Sequence, residues 1–267
     1  MSRSARHDGK TKGIAAVLAA GLLLTPLSSA LSAEKVVDLP TVRGAIQRVL
    51  IDVPVNPRGS VVLLTGGDGN LALDADGRIG SMANNQLVRT RALYVAAGFA
   101  FAVPDLAADL KNTRNYRADS GHGRDIAKVI AHMRAIKGPV VLIATSRGAL
   151  SAATVMLKQS DALPDALVIT SGSLLGQASA ESMGDPARIR APVLLVGHQN
   201  DTCHVSLPAD MTRYATRLTG SARVDTRLMT GGWPARSDVC DAQSPHGFFG
   251  LDKAVVRVVT EWIASLK

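Results

Sequence analysis

The sequence predicts an α/β domain built on a mostly parallel sheet with helices on both sides. Continuous apolar runs, typical of strands covered on both faces, recur at residues 60–64, 140–144 and 192–196. Segments with helical spacing stand between these runs, and this alternation is typical of parallel βαβ units. A chain of 267 residues that is 46% hydrophobic can bury one substantial core, so we expect one such domain.

The elements follow in order from residue 34. Alternating apolar residues at 34–55 predict an antiparallel strand pair that opens the sheet, and residues 70–83 read as an irregular insertion. The remaining predicted strands are 60–64, 99–103, 140–145, 166–170, 192–196 and 222–229. The predicted helices are 85–97, 124–136, the Ala-rich stretch after residue 147, 206–219 and 251–266.

The first 33 residues differ in composition from the rest. Four basic residues precede an apolar run at 13–27, and small residues follow up to Ala33. This pattern predicts a signal peptide over residues 1–33, cleaved after Ala30 or Ala33, and an exported domain at 34–267 that is periplasmic or secreted. The run is shorter than the roughly 20 apolar residues of a membrane span, so we expect no lasting membrane anchor. An uncleaved anchor is the alternative.

The charge of the chain does not indicate nucleic-acid binding. Thirty basic and 22 acidic residues give a net charge of +8, of which residues 1–33 contribute +3. The remaining excess is scattered, and aromatic residues make up only 3% of the chain. Nucleic-acid sites combine clustered basic residues with stacking aromatics, so we exclude that class of partner.

The apolar strand at 140–145 ends in Thr145-Ser146-Arg147-Gly148, which leads directly into the Ala-rich helix. A serine on a sharp turn between a strand and a helix is typical of a nucleophile elbow. A serine hydroxyl is a weak nucleophile that needs a base, and the base needs an acid to orient it. Ser146 is therefore the candidate nucleophile.

The candidate acid and base lie downstream of Ser146. Asp201 follows the strand that ends at Val196, and His246 lies in Ser244-Pro245-His246-Gly247-Phe248, just before the last helix. His204 is too close to Asp201 in sequence to serve easily as a separate base. The order Ser146, Asp201, His246 fits a catalytic triad. Taken singly, such residues are usually a helix cap, a turn residue and a solvated histidine.

Two backbone N–H groups are candidates for an oxyanion hole. One belongs to Arg147 at the start of a helix, and the other belongs to Gly67 in the turn Gly66-Gly67-Asp68, with the N–H of Asp68 as the alternative. His198, Asp201 and His204 could in principle bind a metal, but that spacing is common by chance, so we predict no metal and no cofactor.

On these motifs the chain resembles the α/β-hydrolase superfamily over nearly all of residues 34–267. It looks most like small exported bacterial members with a Thr-Ser-Arg-Gly elbow and a Ser-Pro-His-Gly-Phe histidine loop. The resemblance implies an eight-stranded, mostly parallel sheet and acyl hydrolysis by a triad. The sequence departs from the family pattern at Ala144, where glycine is usual, and at Thr65, where histidine is frequent.

The resemblance to this superfamily gives the two cysteines a specific role as a link between two loops of the site. Cys203 lies two residues after Asp201, and Cys240 lies six residues before His246, so a disulfide would join the acid loop to the histidine loop. Two free buried thiols are the alternative. His122 and Asp105 could line the site or act as turn and capping residues.

The sequence thus predicts an exported serine hydrolase that cleaves a small-molecule carboxylic ester through an acyl-enzyme intermediate. Only about twenty residues separate the strands at 166–170 and 192–196, so we expect no large cap domain and an open pocket with aliphatic walls. The alternatives are a peptidase or amidase with the same triad, and a catalytically silent binding protein with this fold.

Overall fold

The computed structural model describes residues 1–2, 33–159 and 161–266. Most of the predicted signal peptide, residues 3–32, and its possible cleavage site after Ala30 lie outside these residues, so export remains a prediction. In the part of the chain that is described, no helix is long and apolar enough to cross a membrane.

The core of the domain is an eight-stranded sheet with the strand order β1-β2-β4-β3-β5-β6-β7-β8. The strands are β1 Lys35–Pro40, β2 Ile46–Asp52, β3 Ser60–Leu64, β4 Ala100–Pro104, β5 Val140–Thr145, β6 Ala166–Thr170, β7 Val193–His198 and β8 Val224–Met229. Strand β2 runs antiparallel to β1 and to β4, and every other neighbouring pair is parallel. The predicted mostly parallel sheet is confirmed.

The continuous apolar runs form the centre of this sheet. All residues of β3, β5, β6 and β7 are buried, as expected for strands with helices on both faces. Strand β3 pairs with both β4 and β5, and Ser60 lies level with Ala100 on one side and with Val140 on the other. The carboxyl ends of β3, β5 and β7 therefore meet at one edge of the sheet.

In the described part of the chain, five helices cover the two faces of the sheet. They are α1 Gln86–Ala96, α2 Ser120–Ile136, α3 Gly148–Lys158, α4 Pro208–Ala215 and α5 Asp252–Ala264. Apolar side chains of α2, α3 and α4 share one buried cluster with the sheet, and those of α1 and α5 share another. The domain has the three-layer arrangement that alternating strands and helices predict.

The largest differences from the predicted helix bounds are at the start of α2 and at the end of α4, each four residues earlier than predicted. Helix α2 begins at Ser120 because the carboxylate of Asp119 accepts the N–H of His122 at 3.1 Å and caps the helix. Helix α4 ends at Ala215, where the hydroxyl of Thr216 donates to the carbonyl of Arg213 at 2.8 Å. Such side-chain bonds to the backbone compete with helix continuation.

Asp105 anchors the irregular insertion at residues 70–83. Its carboxylate accepts the backbone N–H of Leu71 at 2.6 Å, of Leu73 at 3.0 Å and of Leu106 at 2.8 Å. Asp105 is buried, and these three bonds account for its place after β4. Its role is therefore structural.

The connection between β6 and β7 is short, as predicted. Its regular structure consists of two single 3₁₀ turns, Glu181–Met183 and Pro186–Arg188. Within the described residues no large cap covers the edge of the sheet at which β5 and β7 end.

Candidate active site

Ser146 lies on a strained turn between β5 and α3. Its φ angle of 51° is in the left-handed region, which is uncommon for residues other than glycine. The backbone N–H of Ser146 donates to the carbonyl of Thr170 at 3.1 Å, and the N–H of Ser173 donates to the carbonyl of Ser146 at 3.1 Å. The end of β6 thus holds the turn in place.

Two glycines make this turn possible. A Cβ atom on Gly148 would overlap the carbonyl oxygen of Leu64, and a Cβ atom on Gly66 would lie 2.8 Å from the Cβ of Ser146. Ala144, the departure from the family pattern, is fully buried within β5, where it pairs with Leu64 and Ile169. The tight crossing therefore excludes side chains at Gly66 and Gly148, and Ala144 is accommodated in the strand.

The backbone around the turn offers free hydrogen-bond donors. The N–H groups of Arg147, Gly67 and Asp68 make no hydrogen bond to any described residue. Gly67 has a φ angle of 50° and lines the same cavity as Ser146. Unpaired donors beside a hydroxyl can stabilise a negative charge that forms on a nearby oxygen.

Asp201 and His246 meet beside the same edge of the sheet. Asp201 follows β7, and His246 lies in the 3₁₀ turn Pro245–Gly247 that precedes α5. Nδ1 of His246 is 3.1 Å from Oδ2 of Asp201, and both side chains are buried. The other carboxylate oxygen of Asp201 accepts the N–H of Cys203 at 2.9 Å. This geometry can hold an imidazole in one orientation.

Ser206 joins this pair, which sequence reasoning missed. Its hydroxyl donates to Oδ2 of Asp201 at 2.8 Å, and its Oγ also lies 2.8 Å from Nδ1 of His246. Ser206 is buried. The only sequence signal is its position five residues after Asp201, where it reads as the start of a helix.

The structure joins Cys203 and Cys240 in a disulfide with their Cα atoms 4.7 Å apart. Cys203 is buried beside Asp201, and Cys240 lines the cavity that contains Ser146. His204 lies close by, with its Nδ1 3.7 Å from the sulfur of Cys240. Among the described residues these three form the one group close enough to ligate a metal, but the two sulfurs are bonded to each other and are not thiolates.

His198 has a structural role. Its Nδ1 accepts the N–H of Asn200 at 3.0 Å, and its Nε2 lies 3.0 Å from the carbonyl of Gly231. One nitrogen that accepts and one that donates describe a neutral imidazole. His198 thereby ties the end of β7 to the segment that follows β8.

Ser146 and His246 line one cavity of about 340 Å³. Polar residues, among them Asn84, Asp241 and Gln243, line it beside Met82 and Ala242, where we expected aliphatic walls alone. Within the described chain the hydroxyl of Ser146 makes no hydrogen bond, to His246 or to any other group. Catalytic hydrogen bonds are often long without a substrate and shorten in the complex.

Comparison with known proteins gives a clear result for the fold alone. No protein-family model and no curated protein matches the sequence. A dienelactone hydrolase of Anabaena variabilis is similar in structure, with a TM-score of 0.63 and 16% identity over 88% of this chain and 98% of that one. The chain has the α/β-hydrolase fold.

Two esterases with the α/β-hydrolase fold are also similar. An esterase of Pyrococcus furiosus matches with a TM-score of 0.58 and 10% identity over 90% of this chain and 93% of that one. Brefeldin A esterase, a bacterial homologue of human hormone-sensitive lipase, matches with a TM-score of 0.59 and 16% identity over 95% and 80%. In this fold the nucleophile, acid and histidine follow one another along the chain. Ser146, Asp201 and His246 have that order here.

His122, which the sequence offered as a residue that could line the site, lies in α2 and contacts α3, the helix that follows Ser146. Its Nε2 is 2.9 Å from the hydroxyl of Ser151, and that oxygen accepts a hydrogen bond from Nη1 of Arg117 at 2.8 Å. Burial, with a smaller contribution from the charge of Arg117, lowers the pKa of His122 to about 3. The imidazole is therefore neutral at physiological pH.

We expect His122 to make stability depend on pH. In the unfolded chain its pKa is about 6.5, so below that pH unfolding takes up a proton that the folded protein binds only near pH 3. Between pH 6.5 and 4.5 the free energy of unfolding should fall by about 2 to 3 kcal/mol more in the wild type than in His122→Gln. Urea unfolding at several pH values measures this difference, and parallel pH profiles for the two proteins would contradict it.

Proposed function

We propose that the protein is an exported serine hydrolase that cleaves small-molecule carboxylic esters through an acyl-enzyme intermediate. The observation that carries the proposal is one arrangement: Ser146 on a strained turn lines the same cavity as His246, which is paired with Asp201. The free N–H groups of Arg147 and Gly67 support it further.

In the proposed mechanism Ser146 Oγ attacks the ester carbonyl while Nε2 of His246 takes the hydroxyl proton. Asp201 orients the imidazole through Nδ1 and stabilises the imidazolium that forms. The N–H groups of Arg147 and Gly67 hold the oxyanion, and the intermediate collapses as His246 protonates the departing alkoxide. Water, activated by His246, then hydrolyses the acyl-enzyme and releases the carboxylic acid.

Ester substrates are favoured by the similar structures, whose names describe esterases and a dienelactone hydrolase. The short connection between β6 and β7 leaves the cavity without a large cap, and its volume suits a small molecule. Asn84, Asp241 and Gln243 are among the lining residues and are polar groups that an ester substrate could contact.

Export is supported by the disulfide and by the composition of the N-terminus. Disulfides persist in oxidising compartments and are rare in reducing ones. The Cys203–Cys240 bond and the basic and apolar pattern of residues 1–33 agree with a periplasmic or secreted enzyme. After cleavage we expect no stable membrane anchor.

Ser146→Ala should abolish ester hydrolysis, since it removes the nucleophile. We expect kcat for p-nitrophenyl esters of two to eight acyl carbons to fall by about 10⁴-fold or more, with loss of labelling by a fluorophosphonate probe. Ser237→Ala, which changes a serine in the same cavity, should retain activity and labelling.

Matching p-nitroanilides test the amidase alternative. Unchanged hydrolysis by Ser146→Ala would refute the mechanism, and unlabelled folded wild type would favour a binding protein.

Ser206→Ala should lower kcat by about tenfold, because Asp201 loses one of the donors to its Oδ2 and His246 loses a neighbour at Nδ1. Ser206→Thr retains the hydroxyl and should keep most of the activity. The exposed Ser120→Ala is the matched control. Equal kcat for Ser206→Ala and wild type would show that the pair needs no third partner.

Reduction of the disulfide should lower activity before it unfolds the sheet. The bond closes a loop of 37 residues, for which chain entropy gives about 4 kcal/mol. It also fixes Cys203, whose N–H holds Asp201. We expect kcat to drop in dithiothreitol while circular dichroism at the same temperature is unchanged, and Cys203→Ser with Cys240→Ser should reproduce the drop. Equal activity and equal melting temperature in both states would contradict this role.

A further inference from the structure

We infer that Tyr116 and Arg117 are positioning residues that aim the oxyanion-hole donors at the substrate carbonyl. They act on residues 65–69, which we term the oxyanion loop. The inference rests on the proposed function, and it concerns two side chains that do not contact the reacting atoms.

The two side chains contact carbonyl groups that follow one another in the sequence of the oxyanion loop. Nη2 of Arg117 lies within hydrogen-bond distance of three loop carbonyl oxygens, at 3.1 Å from Thr65, 3.0 Å from Gly66 and 3.3 Å from Gly67. The hydroxyl of Tyr116 donates to the next carbonyl, that of Asp68, at 2.7 Å. Four successive carbonyls are thus held from one side.

These hydrogen bonds fix the direction of the N–H groups of the oxyanion loop. In a trans peptide the carbonyl and the following N–H point in opposite directions. With the carbonyls of Gly66 and Gly67 turned toward Arg117, the N–H groups of Gly67 and Asp68 face away from it. Neither of these two N–H groups has a hydrogen-bond partner among the described residues, and Gly67 lines the cavity of Ser146 whereas Arg117 does not.

The environment of Arg117 is unusual for a residue whose role is packing alone. Its side chain is buried, and in the described chain it forms no ion pair with a carboxylate. Its Nε has no hydrogen-bond partner, so the carbonyls and Ser151 account for its bonds. Burying a cation is costly, and an apolar side chain of similar volume would pack as well or better.

The positive charge also strengthens the donors. Hydrogen bonds in a chain polarise one another, and a cation on the carbonyl oxygen draws electron density from the same peptide's N–H. The N–H of Gly67 is therefore a better donor to an oxyanion than it would be with water behind the loop. The guanidinium lies 5.1 Å from the centre of the Tyr116 ring, which stabilises its position.

The test compares Arg117→Met, Arg117→Lys and Tyr116→Phe with the exposed Arg114→Met as the matched control. We expect kcat to fall by about 100-fold in Arg117→Met, which is the scale of losing an oxyanion donor, and less in the other two. KM should change little. The inhibition constant of a trifluoromethyl ketone, which forms a tetrahedral adduct with Ser146, should rise in proportion to the loss of kcat/KM.

The outcomes separate the two hypotheses. Folded variants with unchanged kcat and unchanged trifluoromethyl ketone inhibition would overturn the positioning role alone, and so would a fall in kcat without weaker inhibition. A wild type without Ser146-dependent hydrolysis would overturn the proposed function and this inference with it. If Arg117→Met does not fold, Tyr116→Phe, which loses only the hydroxyl bond to Asp68, carries the test.

Discussion

The close crossing of the chain at Ser146 is the constraint on which the rest of the site depends. Strands β3 and β5 are neighbours, and the turns that follow them lie so close together that a side chain at Gly66 or Gly148 would overlap the facing turn. A left-handed serine costs about 1 to 3 kcal/mol, and the fully buried strands around it supply the packing that offsets this strain. The same crossing brings the free N–H groups of Arg147 and Gly67 next to the hydroxyl.

The two halves of the candidate site are held by different forces. The half with Ser146 rests on sheet packing, because its turn is bonded to β6 and stacked on β3. The half with His246 follows a long and largely exposed segment, residues 230–243, which contains no helix or strand. There the disulfide and the Ser206 hydroxyl supply the order that packing does not. Acid and histidine are thus fixed by local bonds.

Much of this arrangement could be predicted from the sequence, because parallel strands place their carboxyl ends at one edge of the sheet. The apolar runs before Ser146 and Asp201 fixed both positions in the fold, and His246 followed from chain order. Arg117 and Ser206 could not be predicted, since no periodicity links Arg117 to a loop fifty residues earlier. The polar residues that line the cavity were also not predicted. The composition shows that aromatic residues are scarce, but it does not show which loops surround the cavity.

Behind the oxyanion loop, the charged Arg117 is linked through Ser151 to a neutral His122. The hydroxyl of Ser151 lies between Arg117 and His122 and is within hydrogen-bond distance of both, so protonation of His122 would place a second cation beside the first. Burial keeps the pKa of His122 far below its usual value and prevents this. The charge on Arg117 thereby acts on the loop carbonyls without a second charge on His122. The electrostatics at Ser146 accordingly depend on side chains that never touch the substrate.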